Sequence, residues 1–520
     1  MSGPPCNYML HTTNPSLRDS AMHWTEAIAG RRVRMSALAA VAWIGGAATT
    51  PAMAIPVMRP TRSHAPGLSR PDDEFIAGVR ANRVVAPASL YSALAKLKKN
   101  VPGYSQQTGL ACSSCHYQFP QLTPFGRLFK LNGYTLTGLQ SIGQPGDSAG
   151  KQSLKLSPIP EFSSMLLTSL TRTRKALPNT QNSTAAFPQQ LSVFVSGAVT
   201  PKIGLFSQIT YAGDAGAIGI DNIDLRYADH ATLAGRDLLY GFTMNNNPTV
   251  QDVWNTVPAW GSPFVGSPSA LSPITSTLID GALGQQVVGL GAYSLYANRL
   301  YTEFTVYRSA PQGAAVPLDS TARNTTAGVI PYWRVALQHE TPTTSLMLGT
   351  FGFDAHLYPE GVSGLLNHYS DVAVDAQVER RQGEATWIGR ASIIHERQQL
   401  SATQSTGGAD NVTQRLTTSR INIAYLPSRE YGLTLGYFQT TGTADTTLYA
   451  PQALVGSRSG LPNTVGAFGE INFNPWQNTR VGLQYTAYSK FNGASSAYDV
   501  AGGRNASDNN TLYLFLWLAM

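Results

Sequence analysis

Three residues near position 115 carry the clearest chemical signal in the chain. Cys112, Cys115 and His116 stand in the order Cys-Ser-Ser-Cys-His. This spacing is the signature of covalent haem attachment, in which two thiols bind the haem and the next histidine ligates the iron. A thioredoxin-like redox pair would need a βαβ context and would have no use for His116, and a simple disulfide is the remaining structural alternative. We therefore predict one covalently bound c-type haem, held by Cys112 and Cys115, with His116 as iron ligand.

The residues after this motif predict a short helix that packs against it. Thr123 and Pro124 form an N-cap followed by proline at the first helical position, and Gly133 is a plausible stop. Arg127 lies inside this helix, where it either pairs with a haem propionate or is a solvated surface side chain. The apolar residues that share one face of the helix are Phe125, Leu128, Phe129 and Leu131.

The sixth ligand of the iron stays open at this stage. His64 and Met58 are the candidates upstream of the motif, and Met165 is the nearest methionine downstream. Met165 has a second interpretation as a buried thioether that fills a gap. Water and a non-standard ligand complete the alternatives.

The first 54 residues have the pattern of an export leader. Arg31, Arg32 and Arg34 precede an apolar stretch at 38–48, and an Ala-Met-Ala cleavage signal follows at 52–54. We expect this segment, which contains the third cysteine Cys6, to be removed on export. The formal net charge of +7 is modest, and no run of like charges suggests a nucleic-acid partner.

Period-two alternation begins near residue 158 and continues to the end of the chain. In 371–379, valines and alanine alternate with Asp371, Asp375, Gln377 and Glu379, the pattern of a strand with one apolar and one polar face. Sixteen such segments are predicted. They lie at 160–172, 189–199, 202–212, 219–228, 236–245, 286–296, 299–308, 328–339, 343–354, 368–379, 384–398, 414–426, 430–442, 462–473, 478–490 and 510–520.

Short and long connections alternate between these strands, which is the plan of an outer-membrane barrel. Only 13% of residues are charged, about half the usual ~25%, as a lipid-facing wall requires. We predict a mainly β protein: a 16-stranded antiparallel outer-membrane β-barrel with a small α-helical N-terminal monohaem c-type cytochrome domain. A soluble β-sandwich is the alternative fold. The predicted segments are a leader at 1–54, a cytochrome domain at 55–157 that plugs the barrel, and the porin-like barrel at 158–520.

Two stretches resemble the outer-membrane cytochrome–porin fusions, which include the monohaem iron(II) oxidases of iron-oxidising bacteria. The first, at 111–138, reads ACSSCHYQFPQLTPFGRLFKLNGYTLTG, and the second, at 245–260, reads NNNPTVQDVWNTVPAW. The resemblance covers the chain from about residue 85 to its end. It implies that Cys112 and Cys115 hold the haem, that His116 is its proximal ligand, and that Fe(II) is a donor of electrons.

The first functional hypothesis is electron transfer across the Gram-negative outer membrane, from an extracellular donor such as Fe(II) to a periplasmic cytochrome or other carrier. The alternatives are a passive porin whose haem domain is a plug or sensor, and a soluble periplasmic cytochrome with a β-rich partner-binding domain. Inward Asp371, Asp375, Glu379 and Glu384 would either attract cations such as Fe²⁺ or pair with Arg334 and Arg390. The remaining histidines considered, with no ligand cluster evident among them, are His230, His339, His356, His368 and His395.

Overall fold

The structure is a computed structural model that describes residues 102–136, 162–309, 324–359, 363–499 and 503–520. The predicted leader at 1–54 and the candidate ligands Met58 and His64 lie outside the described residues. So does much of the segment predicted as a cytochrome domain. Among the described residues, no helix combines the length and the apolar character that crossing a membrane demands.

The large sheet of the molecule is a closed barrel of sixteen antiparallel strands. Each strand pairs with its neighbour in the chain, including Leu300–Ser309 with Ile330–Glu340, and the pairing of the first strand with the last closes the barrel. A two-residue strand, β10 (Thr325–Thr326), adds to the rim. The sixteen barrel strands are β3 (Phe162–Thr173), β4 (Ser183–Ala198), β5 (Ile203–Ala212), β6 (Ala217–Leu233), β7 (Arg236–Asn245), β8 (Val287–Tyr296), β9 (Leu300–Ser309), β11 (Ile330–Glu340), β12 (Thr344–Tyr358), β13 (Asn367–Gln382), β14 (Ala385–Gln399), β15 (Thr413–Leu426), β16 (Tyr431–Gly442), β17 (Thr464–Trp476), β18 (Thr479–Lys490) and β19 (Thr511–Ala519).

All sixteen predicted strands are confirmed, and the differences lie at their ends. β4 begins at Ser183 rather than 189, and β6 runs on to Leu233 rather than 228. The added residues, STAAFP at 183–188 and DHATL at 229–233, do not alternate regularly between apolar and polar types. The connection at 213–216 is a tight turn at the end of the barrel where the other connections are long. We call the opposite end, which holds the turns at 234–235 and 383–384, the short-turn end.

The outer face of the wall is apolar and the inner face is polar. On β13, Val372 and Val374 are each 52% exposed, whereas Asp371 and Asp375 are each 1% exposed. Leu348 of β12 is exposed by 60% on the same outer face. Apolar surface of this extent on the outside of a closed barrel indicates that the outer face contacts the hydrocarbon of a membrane rather than water. The protein is therefore a barrel of the Gram-negative outer membrane, and the soluble alternative is wrong.

Residues 102–136, which we call the plug, lie inside the barrel. Their elements are α1 (Gly103–Thr108), α2 (Cys112–Cys115), β1 (His116–Gln118), β2 (Gln121–Leu122) and α3 (Pro124–Leu131). Hydrogen bonds join the plug to strands on opposite sides of the wall. They link Tyr104 to Leu205 of β5, Tyr134 to Asp224 of β6, Leu131 to Tyr293 of β8, Arg127 to Glu379 of β13 and Phe119 to Arg480 of β18.

The long connection between β7 and β8, at 246–286, also enters the lumen, and we call it the inner loop. It includes a short 3₁₀ helix, Pro258–Trp260. Trp254 is fully buried, and its carbonyl oxygen accepts hydrogen bonds from Gln377 and Arg390 of the wall. Asp252 pairs with Arg334 of β11 at 2.9 Å. The plug and the inner loop thus fill the middle of the barrel.

Candidate functional site

The Cys-x-x-Cys-His segment forms a single helical turn that ends abruptly. Cys112 and Cys115 are the first and last residues of α2, so their side chains share one face. His116 leaves the helix with extended backbone angles, φ −127° and ψ 135°. Both cysteines are free and partly exposed. The segment therefore presents two thiols side by side, with an imidazole set apart from them.

The imidazole of His116 is buried and neutral. Burial lowers its pKa to about 4, although the backbone of Pro120 and Gln121 partly opposes the shift. Its Nδ1 is buried and has no hydrogen-bond partner among the described residues. A neutral imidazole with an unsatisfied buried nitrogen has a lone pair to give to a metal, so His116 fits the role of iron ligand.

The thiol of Cys115 differs from that of a redox-active cysteine. Burial, with a smaller contribution from Cys112, raises the pKa of Cys115 to about 12. Reactive dithiols depend on a thiolate whose pKa is lowered by cationic neighbours or a helix N-terminus. The environment therefore does not suit the thioredoxin-like alternative.

Helix α3 packs against helix α2, which carries the motif. Thr123 caps it as predicted, since its Oγ1 accepts from Gly126 N at 3.1 Å, and it also donates to Ser114 O at 2.6 Å. Gly133, at φ +65°, ends it as predicted. At Gly126 the two helices are so close that a Cβ atom would lie 2.2 Å from Cys115 O. The glycine is therefore required where α3 crosses α2.

We expect Gly126→Ala to destabilise the folded plug by about 1–3 kcal/mol, because backbone must move to admit the methyl group. The fraction of purified protein that carries covalent haem should fall with it, measured as haem absorbance per mole of protein. Gly219→Ala is the control, since a Cβ there meets nothing within 4 Å. An unchanged haem fraction for Gly126→Ala would contradict this account of the packing.

Arg127 differs from both of its predicted roles. It is only 2% exposed and pairs with Glu379 at 2.7 Å and with Glu340 at 2.9 Å. Burial disfavours its charge, but the two carboxylates outweigh burial and hold the pKa of Arg127 above its ordinary value. Arg127 therefore ties the plug to the wall and is not free to bind a propionate.

The predicted inward acids are largely paired. Asp375 pairs with Arg334 at 2.6 Å, as one of the two interpretations predicted, and Asp371 accepts from Ile279 N at 3.2 Å. The prediction that Glu384 points inward is wrong, because Glu384 lies exposed in the turn between β13 and β14. Arg390 bonds neutral oxygens of Gln121 and Trp254 rather than these acids.

The motif lies toward the short-turn end of the lumen. Arg429, in the turn between β15 and β16, donates to Ser113 Oγ at 3.2 Å. The ring of His116 packs on Phe119 at 4.7 Å, and Phe119 in turn lies 6.4 Å from Trp517 of β19. Met165, the remaining candidate ligand among the described residues, is buried on the inner face of β3. Phe119 and Trp517 are not predicted from the sequence, because no local sequence pattern indicates that these two distant rings lie near His116.

Comparisons with known proteins show similarity in fold alone. No protein-family model matches the chain, and no curated protein matches it significantly. Among solved structures, outer-membrane expressed OmpT of Vibrio cholerae is 11% identical, over 70% of this chain and 99% of that one, with a TM-score of 0.39. An anion-selective porin from Comamonas acidovorans is 10% identical, over 69% and 98%, with a TM-score of 0.40. OmpF of Salmonella typhi, in complex with daunomycin, is 9% identical, over 69% and 97%, with a TM-score of 0.38.

Proposed function

We propose that the protein is an outer-membrane c-type cytochrome built on a porin-like barrel, which carries electrons from an extracellular donor, Fe(II), to a periplasmic carrier. The observation that carries this proposal is the Cys-x-x-Cys-His turn held inside a closed barrel, in which the buried Nδ1 of His116 has no hydrogen-bond partner among the described residues. In the same proposal, residues 1–54 are a cleaved leader, residues 55–157 form the monohaem domain and residues 158–520 form the barrel.

Cys112 and Cys115 would hold a haem through thioether bonds and His116 would ligate its iron, which supplies a one-electron redox centre. The contribution of the chain is to fix where this redox centre lies. The plug places the motif near the short-turn end, which is the periplasmic end in barrels of this kind. An outer-sphere transfer from Fe(II), which becomes Fe(III), to a periplasmic acceptor needs proximity and a favourable potential. It needs no general base or nucleophile.

The packing of the lumen argues against an open diffusion channel. Arg226, Arg334 and Glu396 point inward from the wall and are fully buried. In an open water-filled pore such residues would be exposed, since 16-stranded barrels are wide enough for an aqueous channel. The ion pair of Arg334 with Asp252 and Asp375 closes the middle of the lumen with protein.

Mixing the oxidised, haem-loaded protein with Fe(II) in a stopped-flow spectrophotometer tests the proposal. We expect the α-band of reduced haem to appear within a single mixing experiment, and Zn(II) at the same concentration to produce none. If ascorbate reduces the haem but Fe(II) does not, Fe(II) is not the donor. The plug-or-sensor alternative would then be favoured.

A further inference from the structure

Two histidines and an aspartate that stand apart in the sequence meet on the outer face of the wall. Asp354 and His356 lie on β12 and share its outward face, since the residues between and beside them point inward. His368 lies on β13 directly opposite His356 in the strand register. The side chains are 43%, 45% and 30% exposed for Asp354, His356 and His368. The cluster is therefore open to solutes.

The three side chains converge. Nε2 of His368 lies 2.7 Å from Oδ2 of Asp354, and Nδ1 of His356 lies 3.7 Å from Oδ1 of the same carboxylate. The two imidazole rings stack at 4.2 Å with an angle of 5° between their planes. One ligand atom from each residue lies within 4.8 Å of the other two. The three ligand atoms are close enough to share one ion once the two stacked rings rotate so that their lone pairs face it.

The cluster lies beyond the apolar band, toward the long-loop end. The connection at 359–366 joins β12 to β13 just past it. On the same outer face of β13, Val372 and Val374 mark the apolar rows nearer the middle of the wall. Since the long loops of such barrels are extracellular, the cluster faces the exterior of the cell.

We propose that Asp354, His356 and His368 form a binding site for a first-row divalent transition-metal ion. Neutral imidazoles with one carboxylate suit Zn²⁺, Fe²⁺, Co²⁺ and Ni²⁺, whereas Mg²⁺ and Ca²⁺ require mainly oxygen ligands. A hydrogen-bonded triad without metal is the competing explanation. It would leave two histidines to share one carboxylate. The site does not rest on the proposed electron transfer.

Metal titration of the full-length protein in detergent, after treatment with a chelator, tests the site. We expect Co²⁺ to bind at one equivalent with a visible d–d spectrum, Zn²⁺ to displace it, and excess Mg²⁺ to leave it bound. His356→Gln and His368→Gln should each weaken binding more than about 10-fold, the loss seen even for outer-shell partners of metal ligands. The conservative Asp354→Asn should weaken it less than the double histidine variant does.

His339→Gln is the matched control, because His339 is an exposed histidine on the outer face of β11 near the short-turn end. It should bind Co²⁺ as the unaltered protein does. Heat-modifiable migration on gels checks that each variant forms a barrel. The proposal is overturned if the His356→Gln/His368→Gln variant binds Co²⁺ as tightly as the unaltered protein, or if His339→Gln weakens binding equally.

Discussion

Replacing both Cys112 and Cys115 with alanine is expected to abolish covalent haem attachment. Each thioether needs a cysteine sulfur, and the two thiols on α2 are the free cysteines among the described residues. Protein exported from cells that contain the cytochrome c maturation machinery should gain the mass of one haem. The double variant should gain none. Intact mass spectrometry and in-gel haem staining after denaturation measure this directly.

Two further variants separate attachment from ligation. His116→Ala removes the proposed iron ligand but neither thiol, so haem that does become attached should have an altered absorption spectrum. Cys6→Ala changes the third cysteine of the chain, which lies in the predicted leader, and should leave the haem content unchanged. Covalent haem in the double cysteine variant would refute the assignment. The assignment would also be refuted if the unaltered protein carried no haem when it was produced in cells that mature other c-type cytochromes.

Arg127→Met is expected to loosen the plug by about 3–5 kcal/mol, the usual result of removing one partner from a buried ion pair. The guanidinium lies against Glu379, whose side chain is 2% exposed, and against Glu340, whose side chain is 17% exposed. Methionine of similar length leaves both carboxylates without their cation. Limited proteolysis should then cut the plug at lower protease concentration, and planar-bilayer recordings should show a higher single-channel conductance.

A double-mutant cycle isolates the ion pair from other effects of the substitution. Glu379→Gln in the Arg127→Met background removes the stranded charge, so the second change should cost less there than in the unaltered protein. Arg236→Met is the control, since Arg236 is exposed at the start of β7. Equal protease resistance in Arg127→Met and Arg236→Met would show that Arg127 does not hold the plug.

Local patterns were enough to predict the barrel. A strand in contact with lipid on one side must alternate every second residue, so each strand reveals itself within a few residues, as 371–379 does. The Cys112-x-x-Cys115-His116 spacing is likewise local, and the haem attachment that it indicates stays a prediction. The helix of the plug followed from the local residues Thr123, Pro124 and Gly133.

Contacts between distant parts of the chain depended on the tertiary structure. Arg127 meets Glu379 across 252 positions, and no pattern near either residue predicts which partner it takes. The sequence predicts Arg334 or Arg390 as a partner for the inward acids, and the tertiary structure decides that Asp375 pairs with Arg334 beneath the inner loop. His356 faces His368 only through the register of two strands joined by a loop. The pair follows directly once the register of these two strands is known, but the packing of the whole wall sets that register. The alternation of residue types predicts which face of the wall each side chain occupies. Only the closed barrel determines which side chains on that face are in contact.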